Sequence, residues 1–230
     1  TNWTLTDRQA RSVISVGVAY GSDIALVMQT LQECALAHPG VRLLAAADAS
    51  LAAAAIVVWA VKPQSFAQAA APCAEFVGGA LQLSVMAGIR SEAIVRASGS
   101  QSVVRAMPNT PALIGQGIAA LFARPAVGDD ERAAVAQVLA PTGSLLWVER
   151  EEDRDAVTAL SGAGPAYVFF FLEAMVEAGT QMGLPAAAAR RLAQETIAGA
   201  AQLAMQSSES PATLRERFDV AREVPLAAAA

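Results

Sequence analysis

Short apolar runs of β type recur between alanine-rich stretches through the first 148 residues and then stop: Val13 to Val16, Ile56 to Val61, Leu81 to Val85, Val103 to Ala106, Ile118 to Phe122 and Leu145 to Val148. Strands that are apolar along their length, rather than at alternate positions, need cover on both faces, and helices in the connections supply it. The pattern predicts an α/β domain with a parallel-type sheet. After Glu149 the texture changes. Ala166 to Met182, Pro185 to Met205 and Pro211 to about Val220 are compatible with helix throughout, and Pro185 and Pro211 stand in first turns, where a missing N–H costs little. The organisation expected is a sheet domain over residues 1–150 and a helical domain over 151–230. Between them, the acidic run Glu149 to Asp155 reads as a solvated helix start suited to the N-terminal dipole.

Composition excludes several functions. Of 230 residues 54% are hydrophobic and 16% charged, enough apolar surface to fold without staples. The net charge is −5 and Lys and Arg do not cluster, so nucleic acid is not an expected partner. Cys34 and Cys73 form no CxxC pair, and His38 is the single histidine. No zinc ligand set or Ser-His-Asp triad is therefore expected, and both cysteines read as small buried hydrophobes. No basic stretch followed by an apolar core opens the sequence, so a cytoplasmic address is expected. The uncharged runs Phe76 to Ile89 and Ala156 to Leu172 are short or broken by Gly and Pro, so no membrane span is expected.

Four places gather residues suited to chemistry. Val13 to Ser22 is a strand-like run followed by glycines and the helix-compatible Asp23 to Cys34. Gly17 suits the first position of a dinucleotide cradle, although Ala19 occupies the second, and an ordinary strand-to-helix turn has the same letters. The run Ile56 to Val61 ends abruptly at Lys62 and Pro63, which places Ala60, Val61, Lys62 and Pro63 at the carboxyl edge of the sheet, where such folds bind ligands. Lys62 could equally be a surface lysine closing a strand. Met107-Pro108-Asn109-Thr110-Pro111 holds an amide and a hydroxyl between two prolines, as a site or as an Asx or ST turn. Ser161-Gly162-Ala163-Gly164-Pro165 offers a nest of N–H groups for a carboxylate, or a hinge of small residues between helices.

These motifs carry a resemblance. AVKPQ at 60–64, MPNTPALIGQG at 107–117, DAVTALSGAGPAYVFFFLEAM at 155–175, GLPAAAARRLAQETIAGAA at 183–201 and ESPATLRER at 209–217 resemble pyrroline-5-carboxylate reductase in order and approximate spacing, from about Ser50 to Arg217. The resemblance implies a Rossmann-like α/β domain followed by an all-α dimerisation domain, and NAD(P)H-dependent reduction of 1-pyrroline-5-carboxylate to L-proline. It implies NADP or NAD bound at Gly17, Ala60, Val61, Lys62, Pro63 and Asn109. The small-molecule substrate would lie at Met107, Pro108, Ser161, Gly162, Ala163 and Gly164, in a homodimer or higher homo-oligomer. No single catalytic residue follows from it. The sequence also departs from the family pattern. A GGGNMA-type turn is reduced to Gly17, the distance from Gly17 to Ala60 is short by one strand-helix unit, and Phe218 to Val224 stands where an SPGGTT-type loop is expected. On those grounds the helical part reads as truncated. A catalytically impaired scaffold relative, or a reductase of another small imine or hydroxy acid, stays open as an alternative.

Overall fold

The fold is that of a computed structural model in which residues 46–217, with residues 33 and 44, are described. The first apolar run, Gly17, Cys34 and His38 lie outside the described residues, as does Phe218 onward. Five strands form one sheet among the described residues: β1 (Ile56–Trp59), β2 (Leu81–Ser84), β3 (Val103–Met107), β4 (Gly117–Ala123) and β5 (Gly143–Val148), side by side in that order. Helices α1 (Phe66–Ala70), α2 (Ala74–Val77), α3 (Ser91–Ser98) and α4 (Asp129–Leu139) fill the connections. The pairs β1/β2, β2/β3 and β4/β5 are parallel, as the apolar runs predict, while β3 and β4 are antiparallel. A parallel pair needs a crossover of about a dozen residues or more. Only the short 3-10 turn Thr110–Ile114 lies between β3 and β4, so the chain reverses there.

Both faces of the sheet are covered, and successive side chains alternate between them. Val57, Trp59 and Val103 pack on one face with Phe66, Ala70, Val77 and Ile94. Leu81, Leu83, Val104, Ala106 and Leu121 pack on the other with Val135 and Leu139. Cys73 is buried and free, and burial pushes its thiol up, so it fills space as expected for a small hydrophobe. Gln82, at the centre of β2, is fully enclosed and satisfied: its amide donates to the carbonyls of Val77 and Ala80, and its Oε1 accepts from the Trp59 indole. One close approach fixes a rim of the sheet. Gly143 has φ +127, and a Cβ there would lie 2.1 Å from the Gly117 carbonyl oxygen.

By compactness the chain divides into two units after Pro165. The first unit includes α5 (Asp153–Val157) and the following π-helical turn Thr158–Gly162. The acidic run that precedes them is not simply solvated. Glu151 turns inward to Ser91 and Arg105, and Arg154 is buried against Met107.

The second unit consists of α6, which runs Gly164–Gln181, α7 (Ala186–Gln206) and α8 (Pro211–Arg217). Gly183, at φ +95, reverses the chain between α6 and α7, a conformation that glycine adopts without penalty. The two helices meet where Gly179 faces Ala189, a fit in which a Cβ on Gly179 would lie 3.1 Å from the Ala189 methyl. The aromatic residues of α6 are open: Tyr167, Phe169, Phe170 and Phe171 are all more than half exposed. By length and composition alone, the helical run Asp153–Gln181 is long and apolar enough to cross a bilayer. A soluble helix that pairs its apolar surface with another helix meets the same criterion.

Candidate functional site

Because β1, β2 and β3 run parallel, the segments that follow them emerge at one edge of the sheet. After β1 the strand closes at Trp59, two residues earlier than its apolar run, and the Lys62 carbonyl accepts from the Ser65 N–H to start a 3-10 turn opened by Pro63. Ala60, Val61 and Pro63 are half-buried there and Lys62 is exposed. Among the described residues Lys62 makes no ion pair.

After β3 the loop carries Pro108 and Asn109 to the same edge. Asn109 precedes the 3-10 turn Thr110–Ile114, but its side chain makes no cap to that turn. The Asx-turn alternative is therefore not what the loop adopts. Instead Asn109 Oδ1 accepts from the Ile118 N–H of β4 at 3.0 Å, which aims Nδ2 outward, and Nδ2 donates to Ser161 Oγ at 3.4 Å. The π-helical turn presents Ser161 to this contact. A π turn inserts one extra residue per turn and often marks a functional position. Here it places Gly162 beside Met107, whose Cε would sit 3.1 Å from a Cβ on Gly162.

Met107, Asn109, Ser161 and Gly162 are thus gathered, although Asn109 and Ser161 are 52 residues apart in sequence. The expected amide nest is only partly open. The Ala163 N–H donates to the Thr158 carbonyl at 2.9 Å and closes the π turn, so Ala163 offers no free amide to a ligand. Gly164 begins α6 with Pro165 behind it.

Beneath this cluster lies a charged group that the motif reading did not single out. Arg105 interrupts the apolar strand β3 and is 5% exposed. Its guanidinium pairs with Glu151, which also accepts from the Ser91 N–H at 2.7 Å and the Ser91 hydroxyl at 2.8 Å. Burial works to raise the Glu151 carboxyl, but the Ser91 hydrogen bonds and Arg105 outweigh it and hold the group below the ordinary carboxylate range. Arg154, 3% exposed, has no carboxylate within ion-pair distance among the described residues, and its Nη2 lies 3.8 Å from Met107 Sδ. Burial and the neighbouring Arg105 pull its pKa down to about 10, so it remains charged near neutrality. The signal for this group was the arginine inside Val103-Val104-Arg105-Ala106, since a charge in a covered strand demands a partner.

A family model described as pyrroline-5-carboxylate reductase dimerisation matches residues 151–222. The pyrroline-5-carboxylate reductase of Pseudomonas aeruginosa is 42% identical over 166 residues, which cover 70% of this chain and 60% of that protein. The enzyme of the same name from Glycine max is 30% identical over 210 residues, covering 90% of this chain and 76% of that protein. Among solved structures, that of the Plasmodium falciparum pyrroline carboxylate reductase with NADP bound has a TM-score of 0.66 at 28% identity, covering 70% of this chain and 65% of that one. The chain spans about 60% of the length of several of the curated relatives it matches. An α/β sheet followed by a helical unit is the fold shared with these proteins, and the chain belongs to the pyrroline-5-carboxylate reductase family.

Proposed function

We propose that this chain is part of a cytoplasmic NAD(P)H-dependent reductase that converts 1-pyrroline-5-carboxylate to L-proline. The observation that carries the reading is the Asn109–Ser161 contact beside Met107 and Gly162, in a chain of this family. The edge of the sheet fits a dinucleotide: Lys62 stands there exposed and without an ion pair among the described residues, and a ribose or phosphate would give its ammonium a partner. Ala60, Val61, Lys62, Pro63 and Asn109 would hold the cofactor, a role that the NADP in the Plasmodium falciparum structure supports for the family. Gly17 would complete that site from outside the described residues.

When bound, the reduced nicotinamide supplies a hydride to the imine carbon, and the imine nitrogen gains a proton in the same conversion. A cyclic imine is basic enough to be largely protonated already, so what the protein must provide is alignment and electrostatics rather than a strong acid. Asn109, fixed through Oδ1 by the Ile118 amide, and Ser161, fixed by the π turn, hold two polar groups in one orientation. Met107 and Pro108 supply an apolar wall beside them. Ser161, Gly162 and Gly164 would face the substrate carboxylate, with Ala163 contributing shape alone.

The bare aromatic surface of α6 is accounted for by pairing with a second copy, which makes a homodimer or higher homo-oligomer the form in which the helical unit is covered. Steady-state oxidation of NADPH and of NADH by the full-length gene product, with 1-pyrroline-5-carboxylate as acceptor, tests the proposal. Turnover that yields proline supports it, and no turnover with either cofactor ends it.

A further inference from the structure

Arg154 carries a charge that the fold does not balance. Its Nε and Nη1 are enclosed and have no hydrogen-bond partner among the described residues, and the contact of Nη2 with Met107 Sδ engages only a weak acceptor. Arg105 has an enclosed Nε in the same condition. Two buried guanidinium groups therefore share one largely buried carboxylate, Glu151, and that carboxylate is taken up by Arg105 and Ser91. Asp155 is the other carboxylate acting on both arginines, but it is exposed, and Arg90 adds a further positive charge near Arg105. The net result is a positive region beneath Met107, within the fold rather than in water. A buried charge left unpaired costs more than an apolar side chain of the same volume, so packing alone gives no reason for an arginine here.

What lies above Arg154 gives the reason. Met107 touches it from one side and stands against Gly162 on the other, next to the Asn109–Ser161 pair. We infer that Arg154 sets a positive potential under the Met107–Gly162 floor that selects an anionic substrate, a carboxylated cyclic imine over the same ring without its carboxylate. The inference rests on the reductase reading above. Because its unpartnered N–H groups are enclosed, Arg154 acts through the field and not by contact, which makes it a positioning residue; in a poorly screened interior such a field reaches beyond the first neighbours.

The test compares kcat/KM for 1-pyrroline-5-carboxylate with kcat/KM for 1-pyrroline in the wild type, Arg154→Met and Arg154→Lys, with melting temperatures to confirm folding. Arg154→Met keeps the volume against Met107 and removes the charge. The expected result is a fall of about tenfold in the ratio of the two values, carried mostly by KM for the carboxylated imine. Arg154→Lys, which keeps a cation, restores most of the ratio. Calorimetric binding of L-proline and of pyrrolidine to the cofactor-free proteins should change in the same sense. A ratio within about twofold of wild type in Arg154→Met, or a lost ratio that lysine does not restore, overturns the inference while leaving the reductase reading intact. If the wild type reduces neither imine, the reductase reading itself fails and takes this inference with it.

Discussion

Arg105, in the middle of β3, is paired with Glu151, which lies 46 residues further along the chain and three residues before Arg154. Through this pair the strand that ends in Met107 is tied to the segment that leads to Ser161, and Ser91 ties the start of α3 to the same carboxylate. Glu151→Gln is expected to lower stability by about 2–3 kcal/mol, since it weakens three hydrogen bonds to a charged acceptor. The pH dependence follows from the lowered carboxyl. Its contribution is complete above the ordinary value of 4.5 and is lost as pH falls through the lower folded value, because the unfolded chain takes up the proton first. Urea titrations from pH 7 to pH 3 should show the wild type losing more stability than Glu151→Gln.

Replacing Asn109 separates positioning from folding. Asn109→Ala removes the acceptor for the Ile118 N–H and the donor to Ser161 Oγ, both in a loop that is partly open to solvent. A loss of about 1–2 kcal/mol in transition-state stabilisation, roughly tenfold or more in kcat/KM, is expected with little change in melting temperature. Steady-state kinetics beside a thermal melt distinguishes this from a folding defect.

Gly162 tests the floor of the site. A methyl at this position meets Met107 Cε at 3.1 Å, the far end of a flexible side chain, so Gly162→Ala should fold with the thioether displaced. The expected signature is a change in KM for the imine with unfolding free energy kept within about 1 kcal/mol. Gly162→Val, which adds branches to the same contact, should lose activity more steeply.

Gly143 offers no such escape. Its φ of +127 is unfavourable for any L side chain, and the neighbour at 2.1 Å is the Gly117 backbone. Gly143→Ala should cost roughly 3 kcal/mol or more by combining a disfavoured dihedral with a clash that only strand separation relieves. Chemical denaturation of the purified variant gives the number directly.

Phe170 is 74% exposed on α6. If that surface is covered by a second copy, Phe170→Glu places a charge in the interface and shifts the population to smaller species. Sedimentation velocity at micromolar concentration measures this, and an unchanged sedimentation coefficient would remove α6 from the interface.

The alternation of apolar runs with alanine-rich stretches made the α/β class and the helical second half legible, because cover on both faces of a sheet leaves its mark on each strand by itself. Five of the six expected strands fall within the described residues, and all five are strands. The antiparallel turn between β3 and β4 was not legible, since the direction of a strand depends on the length of the connection and not on its own letters. The run Glu149 to Asp155 was misread for a related reason: seven residues rich in acid look solvated, and only the position of Ser91 and Arg105 on other elements turns Glu151 inward.

At the site, sequence alone determined which motifs matter. Pro108, Pro111 and Gly162 are local devices whose effect on the backbone is fixed by chemistry within a few residues. The tertiary structure decided which side chains meet: that Asn109 faces Ser161 and not its own turn, that the π turn spends the Ala163 amide, and that Arg154 lies unpaired beneath Met107. The first and last of these join groups 52 and 47 residues apart. They depend on the register and direction of strands, which no local pattern encodes.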